Sequence, residues 1–409
     1  MLQEEFEALS KGTAAATASR SAEVKGGPAV RAFGTMTPRE RFVRCMHFQT
    51  VDRVPHMEFG FWTETMARWH RQGLPEQYDS HESIERYFGC MQTVHAPMRM
   101  ATMNHRKEEI VEERENSVVK RDGLGTLFEQ IRHGAGTIPH YLEFPIKDRA
   151  SWAAFRDEFL PLDFEKRVGA DIARRGEELR HSAEPVAVSL GSYLGYVRNW
   201  IGFENIALMF YDDPELIEEI VAHLSKIYQG VLSRVLPHVG ADLACGWEDV
   251  CFNSGPICSP DMFRSIVIPH LRPVLRLLRQ HGVDVIWTDC DGDIRPLVPL
   301  WLEAGLNCMF PIEVHGGSDP VELRKTYGRE VLLAGGFDKM ALLKGRKAIL
   351  AELKRLEPVV ADGGFVPHVD HRVQADVDYN DYRYYIREKL VMLGYKPEEI
   401  RAIEPLRGV

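Results

Sequence analysis

The sequence predicts an α/β chain folded as a single (β/α)8 TIM barrel, with an inserted β-hairpin and a mobile N-terminal tail. Three observations predict it. From about residue 185, short apolar β-branched runs alternate with longer amphipathic stretches in units of about 25–40 residues. That is the rhythm of parallel strands joined by right-handed helical crossovers. Carboxylates and histidines collect just after the apolar runs, and in a barrel those positions converge on one rim. No GxGxxG or P-loop pattern occurs, so the doubly wound alternative lacks its usual phosphate loop.

Each element has a local reason. Residues 1–35 are rich in Ala, Gly, Ser and charge and lack the apolar stretch of a secretory signal. They are expected to form a flexible tail, with residues 36–409 as the barrel. Thr37 caps a first helix, with Pro38 at its first position and Glu40 completing a capping box. A strand is expected over residues 54–60, with His56 and Glu58 on one side and Phe59, Phe61 and Trp62 making its far end aromatic. Residues 63–180 are the least legible. They read as helix at 66–71 and 81–88, a hairpin near 109–129 turning at Asp122-Gly123, charged helix over 148–180, and one barrel strand hidden among them. Strands follow at 186–190, 242–247, 283–287, 306–311, 331–334 and 363–367, with helices between them capped by Asp213, Ser259 and Asp319.

Composition sets the broad class. The chain has 409 residues, 44% of them hydrophobic, which supplies ample core for a globular protein. A net charge of −10 argues against a nucleic-acid or membrane-surface role. Seven cysteines without a CxxC pair suit free thiols in a reducing cytoplasm. No apolar run is long enough to span a membrane.

The chemistry is expected where the central strand ends, in Thr288-Asp289-Cys290-Asp291-Gly292-Asp293. Strand side chains alternate faces, so Asp289 and Asp291 point one way and Cys290 the other. Two like charges side by side are costly unless a cation lies between them or one holds a proton. Helix capping is the bland alternative for any one acid. The rim inventory is Glu58, Tyr193, Glu248, Asp289, Asp291, Glu313, Asp338, Asp370 and His371, with His56, His315 and His368 near. Acids outnumber bases, which suits a hard metal ion, a cationic substrate or several acid/base steps. Asp289, Asp291, His371 and Glu248 are the candidate catalytic residues. His56, Glu58, Trp62, Tyr193, Glu313 and Asp338 are the candidates for holding a small-molecule substrate. Gly335-Gly336 permits close backbone approach by a ligand or fits a tight turn.

The chain resembles the uroporphyrinogen decarboxylase superfamily. The resemblance runs from Thr37 to Leu393 and rests on several motifs in order. These are Thr37-Pro38-Arg39-Glu40 before Asp52-Arg53-Val54-Pro55, and Gly202-Phe203-Glu204 before Asp213-Pro214-Glu215. They continue with Glu248-Asp249 before Ser259-Pro260, Asp289-Cys290-Asp291-Gly292, Pro311-Ile312-Glu313 and Gly335-Gly336-Phe337-Asp338-Lys339. The last is the run from Gly363-Gly364-Phe365 to His371-Arg372-Val373. The superfamily implies one (β/α)8 barrel and two chemistries: decarboxylation of a tetrapyrrole's acetate arms, and methyl transfer from a corrinoid protein to an acceptor. Its decarboxylases carry an arginine-rich loop after the first strand, and residues 58–64 contain no arginine. Its thiol methyltransferases bind zinc through His-x-Cys-Gly and a later cysteine. Here Asp289-Cys290-Asp291-Gly292 and His371 stand at those places, so the resemblance implies a divalent metal, zinc or harder, on Asp289, Asp291 and His371, or metal-free acid/base work. The expected activity is methyl transfer with the corrinoid supplied by a partner protein, and the expected assembly is a homodimer. A decarboxylase acting on a porphyrinogen or a smaller acid is the second reading, and a non-catalytic scaffold the third.

Overall fold

The computed structural model describes residues 36–132 and 139–409. The expected tail, residues 1–35, lies outside the described residues. Thirteen strands occur among the described residues. In chain order they are β1 (Val94–His95), β2 (Glu109–Glu113), β3 (Ser117–Arg121), β4 (Leu127–Ile131), β5 (His140–Glu143), β6 (Val186–Gly191) and β7 (Leu243–Trp247). Then come β8 (Cys251–Phe252), β9 (Gly255–Pro256), β10 (Val285–Asp289), β11 (Cys308–Phe310), β12 (Leu332–Phe337) and β13 (Phe365–Val369).

Seven of them form one curled parallel sheet in the order β1-β6-β7-β10-β11-β12-β13. The strand expected at residues 54–60 does not join this ladder. It is extended chain lying between the two outer strands. The Met91 amide donates to the His56 carbonyl at 2.7 Å, and the Val373 amide to the Gly60 carbonyl at 3.0 Å. A single parallel bridge, Phe61 to Val373, accompanies them. The hidden strand of the 63–180 region is β1, only two residues long. The expected hairpin is larger than read: β2, β3, β4 and β5 form a four-stranded antiparallel sheet.

The strand period of two sorts the sheet's side chains into two packed sets. Ala187, Leu243, Cys245, Val285, Trp287, Cys308, Phe310, Leu332, Ala334 and Val366 face inward and pack with Phe42 and Met46 of the first helix. That helix, Pro38–Met46, is capped by Thr37 as expected. The intervening residues, such as Val188, Ala244, Ile286, Met309, Leu333 and Phe365, face outward. They pack under the crossover helices with Leu216, Ile220, Leu224, Leu275 and Leu278. Asp213, Ser259 and Asp319 cap helices starting at Pro214, Pro260 and Pro320, each accepting from a backbone amide of the first turn.

Gly335 has φ +102°, and a Cβ there would lie 1.7 Å from the Pro311 carbonyl oxygen. The Gly335-Gly336 pair therefore serves a close crossing of backbone on backbone rather than the approach of a ligand. No helix among the described residues is long and apolar enough to cross a membrane. All seven cysteines are free and buried.

Candidate active site

Asp289 closes β10 and has the parity of Val285 and Trp287, so it points into the mouth of the sheet. Cys290 faces the outer core. Asp289 stands across the ladder from Phe310. Burial pushes its carboxyl well above the ordinary range, repulsion from Asp291 and Asp249 adds to this, and Arg372 opposes it. Asp289 thus holds a proton far more readily than a solvated aspartate.

Asp291 and His371 meet directly, Oδ2 to Nε2 at 3.3 Å. The other carboxylate oxygen of Asp291 is buried without a hydrogen-bond partner among the described residues. The indole of Trp62 stacks on the His371 ring at 5.7 Å and 24°, and the Arg372 guanidinium lies 5.5 Å from the Trp62 ring centre. Phe59 meets the His371 ring edge-on at 5.8 Å. Asp249 completes the group, its carboxylate 2.9 Å from an Arg198 nitrogen. Burial raises the Asp249 carboxyl, and Arg198 opposes that rise. Asp249 sits at φ +45°, a conformation Asp tolerates better than most residues. The mouth therefore holds three carboxyls and one imidazole under an aromatic cover, with two guanidinium groups at its edge.

Of the residues read from the sequence, Asp289, Asp291, His371 and Trp62 come together. The others are placed elsewhere. Glu248 lies next to the mouth in backbone only. Its carboxylate accepts from the amides of Tyr193, Leu194 and Gly195 at 2.9, 2.8 and 3.3 Å, so it caps the helix Leu194–Ile201. The capping alternative holds for this acid. Its parity is that of Ala244, an outer residue, whereas Asp249 shares the parity of Cys245, an inner one. Both residues lie past the end of β7, and Asp249 at φ +45° breaks the alternation, so its pairing with Arg198 rather than its parity places it in the mouth. Tyr193 is buried outside the sheet and donates its hydroxyl to the His270 carbonyl at 3.0 Å.

Glu313, Asp338 and Asp370 tie three loops together. Glu313 pairs with Lys339 at 2.5 Å and accepts from the Gly292 amide at 3.1 Å, which positions the turn carrying Asp291. Asp370 accepts from the amides of Val314 and Lys339. Burial pushes its carboxyl up to about 6 against Lys339 and those two amides. Asp338 caps the turn at Met340 and pairs with His315 at 3.1 Å. Glu58 and His56 lie inside the wall. Glu58 is paired with Lys389 at 2.5 Å, each 1% exposed, and takes the Tyr385 hydroxyl at 3.0 Å. His56 is 3.4 Å from the Cys90 sulfur, and burial and then Lys389 push its imidazole well below its usual value.

These buried groups make stability depend on pH. Burial pushes Glu248 up to about 7. Burial, and then the charges of Glu58 and Glu82, push Glu85 up to about 8. A carboxyl that binds its proton more tightly when folded contributes fully at low pH and loses that contribution as pH rises through its folded value. The buried imidazoles of His56, His95, His223 and His368 are lowered, so they act in the opposite sense, but only below about 6.5. Between pH 6.5 and 8 the acids act together with His47, whose imidazole is raised, against burial, by Asp284 and the Val43 carbonyl and so acts in the same sense. The thermal midpoint should fall across that window, and fall less in Glu85→Gln. A scan at half-unit pH steps measures both.

A protein-family model described as Uroporphyrinogen decarboxylase (URO-D) matches residues 171–387, more than half of the chain. The chain belongs to the uroporphyrinogen decarboxylase family. The URO-D match spans Asp249, Asp289, Asp291, His371 and Arg372, while Phe59 and Trp62 lie outside it. Among solved structures the fold is similar to a methyltransferase from Methanosarcina mazei. The TM-score is 0.55 and the identity 14%, covering 87% of this chain and 98% of that one. A B12-independent methionine synthase from Shewanella sp. W3-18-1 aligns over 55% of this chain and 66% of its own, at 12% identity and a TM-score of 0.35, too low to carry an argument. A search of curated proteins found no match.

Among the described residues no three His, Cys, Asp or Glu side chains are arranged to hold a metal ion. Of the three residues expected to bind a metal, only Asp291 and His371 are in contact. As placed, the three residues expected to bind a metal do not fit one. Sequence reading placed His368 near the rim and missed Asp249, Arg198, Arg372 and Phe310 as members of the mouth or its wall. Asp249 stood beside Glu248 in one motif, and Arg372 beside His371 in the last.

Proposed function

We propose that this URO-D family chain is a methyltransferase that moves a methyl group between a corrinoid carried by a partner protein and a small acceptor in the mouth. The observation that supports this most is the convergence of Asp289, Asp291 and Asp249 on one imidazole, His371, beneath Trp62. A corrinoid supplies the carried methyl group. The chain's own residues manage the acceptor's proton. His371 is held at Nε2 by Asp291, which leaves Nδ1 to exchange that proton. Asp289, proton-bearing, donates a hydrogen bond to the acceptor. Phe59 and Trp62 keep water off it. In this reading residues 54–62 are the eighth stave completing a (β/α)8 barrel.

Incubation with methylcobalamin and a panel of thiols, folates and amines tests the reading. The expected result is acceptor-dependent loss of the methylcobalamin absorbance, with a corrinoid protein recovered by affinity capture. An unchanged spectrum with every acceptor, and no corrinoid protein captured, removes it. One observation favours a second reading, decarboxylation: Asp289 is a carboxyl disposed to keep its proton beside a guanidinium, Arg372. The absence of arginine from residues 58–64 weighs against a substrate with many carboxylates. Turnover of uroporphyrinogen decides between the two.

A further inference from the structure

His368 has no part in the proton chemistry above, yet it is the least satisfied group on the inner wall. It lies on β13, two residues beyond the inner Val366, and is fully buried at 0% exposure. Its Nδ1 is 2.8 Å from the Val369 carbonyl oxygen. A carbonyl only accepts, so Nδ1 carries the hydrogen and Nε2 is a bare lone pair. That nitrogen has no hydrogen-bond partner among the described residues. Burial, and then the charge of Lys389, push the imidazole down to about 3, so it stays neutral.

A buried acceptor with nothing to accept from costs free energy and calls for an explanation. Its surroundings supply one. The Phe310 ring centre is 5.3 Å from the imidazole and the Phe59 ring centre 6.2 Å. Trp287 stacks behind Phe310 at 5.1 Å. Gly336, the ladder partner of His368, contributes no side chain. Phe59 also touches His371, so its half-buried ring stands between this imidazole and the mouth.

We propose that His368 is a recognition residue for the small acceptor, and that the acceptor carries a neutral hydroxyaryl group apart from the atom that takes the methyl. The hydroxyl donates to Nε2, and the flat ring takes a place against Phe310 as Phe59 turns aside. A neutral imidazole does not hold an anion, and the carboxylates of Asp291 and Asp249 repel one. A cation is drawn to those carboxyls rather than to the apolar wall. A neutral O–H on a flat apolar body satisfies both the lone pair and the rings. The proposal rests on the mouth being an acceptor site, as argued above.

The test uses the full-length protein labelled with 15N in its histidine rings, and two probes, phenol and anisole. They share the ring and differ in the donating hydrogen. The expected result is that one bare imidazole nitrogen signal, absent from His368→Phe, moves upfield with phenol and stays put with anisole. His368→Phe should bind phenol at least about tenfold more weakly, keep its weak affinity for anisole, and melt no lower than the parent. His368→Gln keeps an acceptor and should retain part of the phenol affinity, which separates recognition from packing. The proposal is overturned if phenol leaves the signal in place, or if phenol binds the parent and His368→Phe alike. It is also overturned if the nitrogen already resonates as hydrogen-bonded before any probe is added, the mark of a resident water. No methyl donor enters this assay. Failure of methyl transfer therefore leaves its outcome readable, and its failure leaves the methyltransferase reading open to other acceptors.

Discussion

Replacing Lys389 by Met should lower the stability of the fold by about 3–5 kcal/mol. Lys389 and Glu58 are paired at 2.5 Å with 1% exposure each, and Lys389 also donates to the Met57 carbonyl at 2.7 Å. Without the ammonium, the Glu58 carboxylate keeps only the Tyr385 hydroxyl and one long amide contact from Val369 at 3.5 Å. An uncompensated buried charge is far more costly than a buried pair is stabilising. The double variant Glu58→Leu with Lys389→Met should recover most of the loss, because it removes both charges. Urea unfolding of the three proteins gives the comparison. A Lys389→Met variant within about 1 kcal/mol of the parent would mean that water reaches the pair. The pair also matters to the mouth. It fastens the segment carrying Phe59 and Trp62 to the helix Tyr379–Met392.

The second large effect is expected at Asp289. Asp289→Asn keeps the shape and removes the ionisation, so the folded protein no longer has to hold a proton that the unfolded chain gives up, and the thermal midpoint at neutral pH should rise. Methyl transfer should fall by about 10²–10⁴, the range in which a general acid or base contributes. A gain in stability together with a loss of activity is the signature of charge kept for function. His371→Ala should lose activity to a similar degree. Parental rates in Asp289→Asn would end the proposed role, and a rise in melting point with no activity at stake anywhere in the family's chemistry would favour a scaffold.

Much of this architecture could be read from residues alone, for identifiable reasons. β6, β7 and β10 to β13 are apolar runs bounded by turn residues, and the helices between them begin at side chains that cap. β1 escaped because two residues carry no period. β2 and β5 escaped as members of one sheet because Glu109–Glu113 and His140–Glu143 have no buried face to alternate, being exposed throughout. Residues 54–60 have the composition of a strand, and what they lack is a neighbour in register. At the site, Asp289, Asp291 and His371 were legible because acid and imidazole followed strands. Glu248, Glu313, Asp338 and Asp370 have the same signature and serve backbone amides or lysine instead. Composition alone does not tell a carboxylate that accepts from the chain from one that faces a substrate, and parity does not either: Asp338 and Asp370 share the inner parity of Ala334 and Val366 yet serve backbone amides.

The sorting of inner from outer side chains along β10 has one more consequence. Asp289 and Cys290 are adjacent, one turned toward the mouth and the other toward the packed helices. Loss of a single residue upstream in that strand would exchange them and present a soft sulfur where the oxygen acid now stands. The gap between an oxygen-lined and a thiolate-lined pocket in this architecture is thus one step of register, a shorter evolutionary distance than the difference in their chemistry suggests.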